Sequence, residues 1–300
     1  MKKQAFFFII AAGILWGTSG IFVHLLAPYG YTSLQMTALR GTVSFLCLFF
    51  GALIRNRSAF RVKLPELLLF AGIGLALFGT GSCYFASMQL TSISTAVVLM
   101  YMSPVYVTVF SALFFGEKLS RLKLVAVVGM LVGCCLVSGI FGGLTVNLGG
   151  ILLGLLSGIS YAAYNILTKI SMRRGSSPIS TTLYSFFFLS VIALAVADPI
   201  SIVEHTAKKP TLLLPLTVAL GVVTFVLPYL FFTLGIRALP AGTASALSVV
   251  EPMAATVFGV LLLREPIEPL ALVGIFVILL SVVLLSRAEG QSSSHKTKKE

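Results

Sequence analysis

Glu251 stands near the middle of an apolar stretch, 242–263, and Pro252 follows it directly. A carboxyl group at that depth is costly in a bilayer and marks either a transport pathway or a paired partner. Proline has no backbone N–H, so it frees a carbonyl one turn back in the same helix. As a carboxylate, Glu251 could hold a substrate ammonium. As a neutral acid, which is cheaper to bury, it could carry a coupled proton. The plain alternative is a structural pairing with a neighbouring helix. Arg40 lies about 9 Å into its own stretch, 34–54, at 1.5 Å of rise per residue. Its planar guanidinium suits a carboxylate, although a side chain at that depth could equally snorkel to headgroups. Arg40 and Glu251 together would match a zwitterion such as an amino acid.

Other polar and aromatic residues also fall well inside apolar stretches: Trp16, Tyr84, Tyr101, Ser103, Tyr161, Asn165 and Tyr229. Tyr161 and Asn165 are four apart and share a helix face. Buried phenol and amide groups need partners, and a wet cavity would supply them. An interhelix hydrogen bond is the simpler account of any single tyrosine. His24 reads as interfacial, and Cys47, Cys83, Cys134 and Cys135 read as small apolar residues. Neither set has metal-ligand spacing, so no metal and no cofactor is expected.

The elements that must position these residues are membrane helices. Of the 300 residues, 58% are hydrophobic and 10% charged, against about 25% charged in a soluble domain. Ten apolar stretches of roughly 20 residues can each span a bilayer: 4–26, 34–54, 67–88, 92–115, 122–141, 149–171, 179–197, 211–235, 242–263 and 269–286. They are too long and too uniform for barrel strands. The net charge of +12 does not point to nucleic acid. With a cytoplasmic N-terminus, the lysines and arginines fall on the inner loops, except Lys208, Lys209 and Arg264 outside and Arg40 within the membrane. That is the positive-inside bias, and it places both termini in the cytoplasm. The basic loops would meet anionic lipid headgroups. Lys2-Lys3 opens an uncleaved first span rather than a signal peptide.

The chain also repeats itself. Residues 95–125 align without a gap on 243–273, with identities at Thr95/Thr243, Leu99/Leu247, Pro104/Pro252, Thr108/Thr256 and Glu117/Glu265. Glu251 falls opposite Ser103, so the symmetry breaks where a charge appears. The repeat unit holds an odd number of spans, so its two copies must cross the bilayer in opposite directions. An inverted repeat places a substrate site between the halves near the midplane. The expected fold is therefore an all-α integral membrane protein: ten transmembrane helices formed by inverted-topology duplication of a five-helix bundle. The repeats are 1–146 and 147–288, and 289–300 is a disordered cytoplasmic tail. Four-residue glycine spacings, as at Gly13, Gly17 and 150, 154 and 158, allow close helix packing. Pro104, Pro228 and Pro252, with Gly79 and Gly81 opposite Pro228 in the repeat, are candidate hinges.

No Gly-x-Ser-x-Gly, His-Glu-x-x-His, phosphate-binding loop or paired membrane aspartate occurs, so no enzyme is expected. The chain resembles the EamA branch of the drug/metabolite transporter superfamily. The resemblance rests on Gly13-Ile14-Leu15-Trp16-Gly17, Ala38-Leu39-Arg40, Ser103-Pro104-Val105 and Phe115-Gly116-Glu117-Lys118-Leu119 in the first half. In the second half it rests on Pro228-Tyr229, Ala238-Leu239-Pro240-Ala241, Glu251-Pro252 and Leu261-Leu262-Leu263-Arg264-Glu265. It implies a bacterial inner-membrane carrier of amino acids, related metabolites or drugs, often exported, with a central cavity between two five-helix halves. Arg264 stands where the family usually has glycine. A carrier of phosphorylated, lipid-linked or nucleotide-sugar substrates is the alternative within transporters, and a non-transporting membrane sensor is the alternative outside them. Either a monomer or a homodimer would fit.

Overall fold

The computed structural model describes residues 2–55, 57–103, 105–106, 121–137, 147–236, 250–264 and 269–297. Among these residues the regular structure is helical and no strand occurs. The first half contributes α1 (Lys2–Gly17), α2 (Ser19–Leu26), α3 (Ser33–Arg55), α4 (Leu64–Leu90), α5 (Ile93–Met100) and α6 (Arg121–Val137). The second contributes α7 (Leu148–Arg173), α8 (Pro178–Val196), α9 (Pro199–Lys208), α10 (Pro210–Gly221), a π turn (Val222–Val226), α11 (Leu227–Ile236), α12 (Val250–Leu263) and α13 (Pro269–Thr297). Among the described residues, six helical segments are long and apolar enough to cross a bilayer: Gln4–Tyr29, Ser33–Arg55, Leu64–Leu90, Leu148–Thr168, Pro178–Val196 and Pro210–Phe232. Met253–Leu263 and Leu272–Ser281 are shorter apolar helices. Large apolar side chains such as Phe7, Leu68, Leu152 and Leu261 are exposed on the outside, while serines and threonines such as Ser44, Ser157 and Thr224 are buried. That inside-out distribution suits a lipid environment, where the solvent is itself apolar.

Local chemistry sets the helix starts. At α4 the Lys63 N–H donates to Glu66 Oε2 at 2.8 Å, and Pro65 occupies the first turn, where its missing N–H costs nothing. At α5 the Ser92 hydroxyl accepts from the Thr95 N–H at 3.0 Å. The short α9 was not expected. It begins at Asp198, whose side chain accepts from Ser201 N–H, and ends before Pro210. One further difference concerns an end. Helix α13 runs on through Thr297, across the segment that composition marks as a disordered tail. The loop motifs within 107–120, 237–249 and 265–268, together with Pro104, lie outside the described residues.

Among the described residues, three helical runs are interrupted. Between α1 and α2 the Thr18 and Ser19 hydroxyls donate to the Leu15 and Trp16 carbonyls at 2.6 and 2.7 Å. The Leu15 carbonyl also accepts the Thr18 N–H at 3.2 Å, so these hydroxyls add to the tightened backbone bonding at the break. After α5, the Met102 N–H donates to Leu99 at 3.1 Å, a tightened turn just ahead of Pro104. After α10 the chain widens instead: the Leu227 N–H donates to Val222. Pro228 comes next, and a wider turn gives its ring room against the preceding carbonyls. By contrast α4 passes unbroken through Gly79 and Gly81. Both glycines serve close approach there: a Cβ on Gly79 would lie 2.8 Å from Ser160 Oγ.

Packing links the halves throughout. Helix α4 lies against α7 and α8, α1 against α11 and α12, α3 against α8 and α10, α5 against α7 and α12, and α6 against α13. The Ser87 hydroxyl donates to the Gly150 carbonyl at 2.8 Å, and Ser176 donates to Glu66 Oε1 at 2.8 Å.

Candidate functional site

The site forms where α1 crosses α12. Gly13 and Gly17 face the turn of α12 that carries Glu251. A Cβ on Gly17 would lie 2.8 Å from Ala254 Cβ and 2.9 Å from Ala255 N, and one on Gly13 would lie 3.2 Å from Glu251 N. Only bare backbone allows that approach. It leaves Glu251 8% exposed, well inside the bundle rather than facing lipid. Its Oε2 accepts the Tyr101 hydroxyl proton at 2.8 Å. Tyr101 is placed by the tightened turn after α5, so the break in that helix aims a phenol across the repeat boundary at the carboxyl.

Arg40 sits in the same polar group, 6% exposed. Its guanidinium carbon lies 4.6 Å from the Phe85 ring centroid and 4.4 Å from that of Phe225. Stacking of this kind partly compensates a buried cation, by up to about 2 kcal/mol per desolvated contact. The snorkelling alternative therefore fails, since the head group points into the bundle. Gly81 makes this possible, because a Cβ there would lie 2.5 Å from the Arg40 Nη2. Glu251 acts on Arg40 electrostatically, and the neutral phenols of Tyr84 and Tyr229 lie nearby. Phe225 comes from the π turn.

An aromatic wall closes one side. Trp16 meets Tyr229 edge-on at 5.7 Å and Phe232 at 5.6 Å. Tyr229 donates its hydroxyl proton to Tyr164 at 3.2 Å, and Tyr161 stacks on Tyr164 at 5.8 Å. Tyr84 and Ser103 are buried. Asn165 departs from expectation: it is exposed, and its amide donates to the Tyr161 carbonyl of its own helix at 2.9 Å. Phe85 and Phe225 join the site without any distinguishing mark in the sequence beyond apolar, aromatic character; Tyr164, like Tyr161, stands out as a tyrosine well inside its span. A cavity of about 620 Å³ opens beyond α2 and the end of α4. Gly20, His24, Tyr31, Gln89 and Ile93 are among its lining.

The Tyr101–Glu251 bond gives a direct prediction. Tyr101→Phe deletes a donor to a buried carboxyl, an interaction worth about 1.5–3 kcal/mol when the acceptor is charged. The expected result is a lower unfolding midpoint in detergent. Tyr84→Phe removes a hydroxyl with no hydrogen-bond partner among the described residues, and should leave that midpoint almost unchanged.

With this geometry in view, known proteins give a consistent picture. The profile of the EamA-like transporter family matches residues 3–139 and again residues 148–287. An uncharacterized transporter of Archaeoglobus fulgidus is 30% identical over 93% of this chain and 95% of its own. The uncharacterized transporter YwfM of Bacillus subtilis is 23% identical over 94% of this chain and 93% of its own. One solved crystal structure, 19% identical, superposes with a TM-score of 0.59 over 96% of this chain and 99% of the other, a likeness of fold.

Proposed function

Because the chain belongs to the EamA-like transporter family of the drug/metabolite transporter superfamily, we propose that this multi-pass membrane transporter is a secondary carrier exporting small metabolites, foremost amino acids or related amphipathic compounds. The observation that carries the reading is the buried Glu251 carboxyl, held by Tyr101 at the α1–α12 crossing. A charge so expensive to bury marks a transport path. Glu251 serves as the contact for a substrate ammonium or as the carrier of a coupled proton, and the Trp16–Tyr229–Tyr164 wall packs the apolar part of the cargo.

The two family matches, one per half, support a duplicated architecture. So does the pattern of helix pairing. Exchanging each helix for its counterpart in the other half turns the α4–α7 contact into that of α10–α11 with α1. It also turns α1–α12 into α7–α5 and α4–α8 into α10–α3, while α3–α8, α5–α12 and α6–α13 map onto themselves. Ten helices in two antiparallel copies, with both termini cytoplasmic, account for this set. Two halves of equal pairing can trade conformations, which is the requirement for alternating access. The three interrupted helices supply places to bend.

Counterflow tests the reading. Purified protein in liposomes preloaded with an unlabelled amino acid should concentrate the same labelled amino acid transiently, without nucleotide. No counterflow with any amino acid, amine or nucleotide sugar would leave a sensor. Counterflow confined to nucleotide sugars would make this a carrier of phosphate-bearing cargo.

A further inference from the structure

The structure assigns to Arg40 a seat for a single carboxylate, and this deepens the carrier reading above by naming a chemical group that the cargo must bear. Arg40 and Tyr84 are nine-tenths buried or more. Yet Arg40 Nε and the Tyr84 hydroxyl each lack a hydrogen-bond partner among the described residues. Two buried donors without acceptors, one of them cationic, are expensive to maintain in an apolar interior. The guanidinium carbon lies over both phenylalanine rings, and these neighbours offer its Nε no acceptor. The carboxylate that acts on it electrostatically, Glu251, has Oε2 engaged by Tyr101. An acceptor from outside the chain is what the edge lacks.

The chemistry narrows that acceptor. A guanidinium edge presents parallel N–H donors that match the two oxygens of a carboxylate. A phosphate group carries more charge and calls for several cations, whereas the described groups around Arg40 are Phe85, Phe225, Gly81, Tyr84, Tyr229 and the carboxyl of Glu251. A monocarboxylate adds only one negative charge beside Glu251 and accepts from Arg40 Nε and Tyr84 together. The seat lies on α3 and α4 of the first half, and Glu251 lies on α12 of the second. Gly81 is a positioning residue for the seat, because any Cβ there would displace the guanidinium.

The test is a thermal-shift and calorimetric titration of the full-length protein in detergent with three compounds that share one side chain. These are leucine, its decarboxylated form 3-methylbutylamine, and its deaminated form 4-methylpentanoate. The carboxylates should bind wild type, and Arg40→Lys should weaken them about ten- to a hundredfold, the loss expected for one bidentate charged contact. Gly81→Ala, which keeps every charge, should weaken them in the same direction. Binding of 3-methylbutylamine should change less than threefold in either variant. If neither carboxylate binds wild type, or if both variants bind carboxylates as wild type does, there is no such seat. Counterflow read on the same proteins separates the two readings: Arg40-dependent carboxylate binding without counterflow would overturn the carrier and keep the seat. Counterflow unaffected by Arg40→Lys would overturn the seat and keep the carrier.

Discussion

Glu251→Gln is expected to lower counterflow about ten- to a hundredfold while the protein stays folded. The substitution keeps the length and the planar head group, so the Tyr101 hydroxyl still finds an acceptor where Oε2 stood. The carboxyl sits 8% exposed, so exchanging it for a neutral amide removes a cost of burial and should not destabilise the bundle. Only the charge and the exchangeable proton are lost. A substrate ammonium would give up a charged hydrogen bond worth about 1.5–3 kcal/mol, which is the stated range of rate. Two measurements divide the possible roles. Binding that weakens with transport identifies a substrate contact. Binding that survives, with transport that no longer responds to pH, identifies a proton carrier. Full retention of binding and of pH-dependent transport would remove Glu251 from the mechanism.

The second large effect belongs to Gly17. Its hypothetical Cβ meets Ala254 Cβ at 2.8 Å and the Ala255 backbone nitrogen at 2.9 Å. Backbone cannot swing aside as a side-chain tip can, so Gly17→Ala must push α1 away from α12. Overpacking of this kind costs about 1–3 kcal/mol, which lowers the unfolding midpoint by roughly 2–12 °C at 2–4 °C per kcal/mol. It should also loosen the carboxyl site, because Glu251 O lies 3.1 Å from the same added carbon. Gly51→Ala is the control. Nothing lies within 4 Å of its Cβ, so the midpoint should hold or rise slightly. Equal midpoints for the two variants would show that the α1–α12 contact yields readily.

The legibility of the chain follows from how local each signal is. The membrane spans were readable because long apolar runs are their own evidence, and helix fills those runs wherever they are described. Glu251 was readable for the same reason, as the exception within such a run. Arg40 was only half readable. Whether it reaches lipid or core depends on Gly81 and Phe225, which lie far away in sequence and meet it only in the folded bundle. Asn165 misled because a short amide on a helix can bond its own preceding turn, whatever the face offers. Pro228 announced an interruption, but not that it would be a widening rather than a kink. Helix α9 was marked by Asp198-Pro199 before it and Pro210 after it, signals easily discounted between two strongly apolar runs.

The wide turn at Val222–Val226 has a mechanical consequence. It stores one residue more than an ordinary turn, and an α-helix advances about 100° per residue. Releasing that surplus would act as a crank, rotating α11 about its axis while α10 stands still. Tyr229 and Phe232 would swing off Trp16, and Phe225 off Arg40, so the tryptophan and the guanidinium would be uncovered in one stroke.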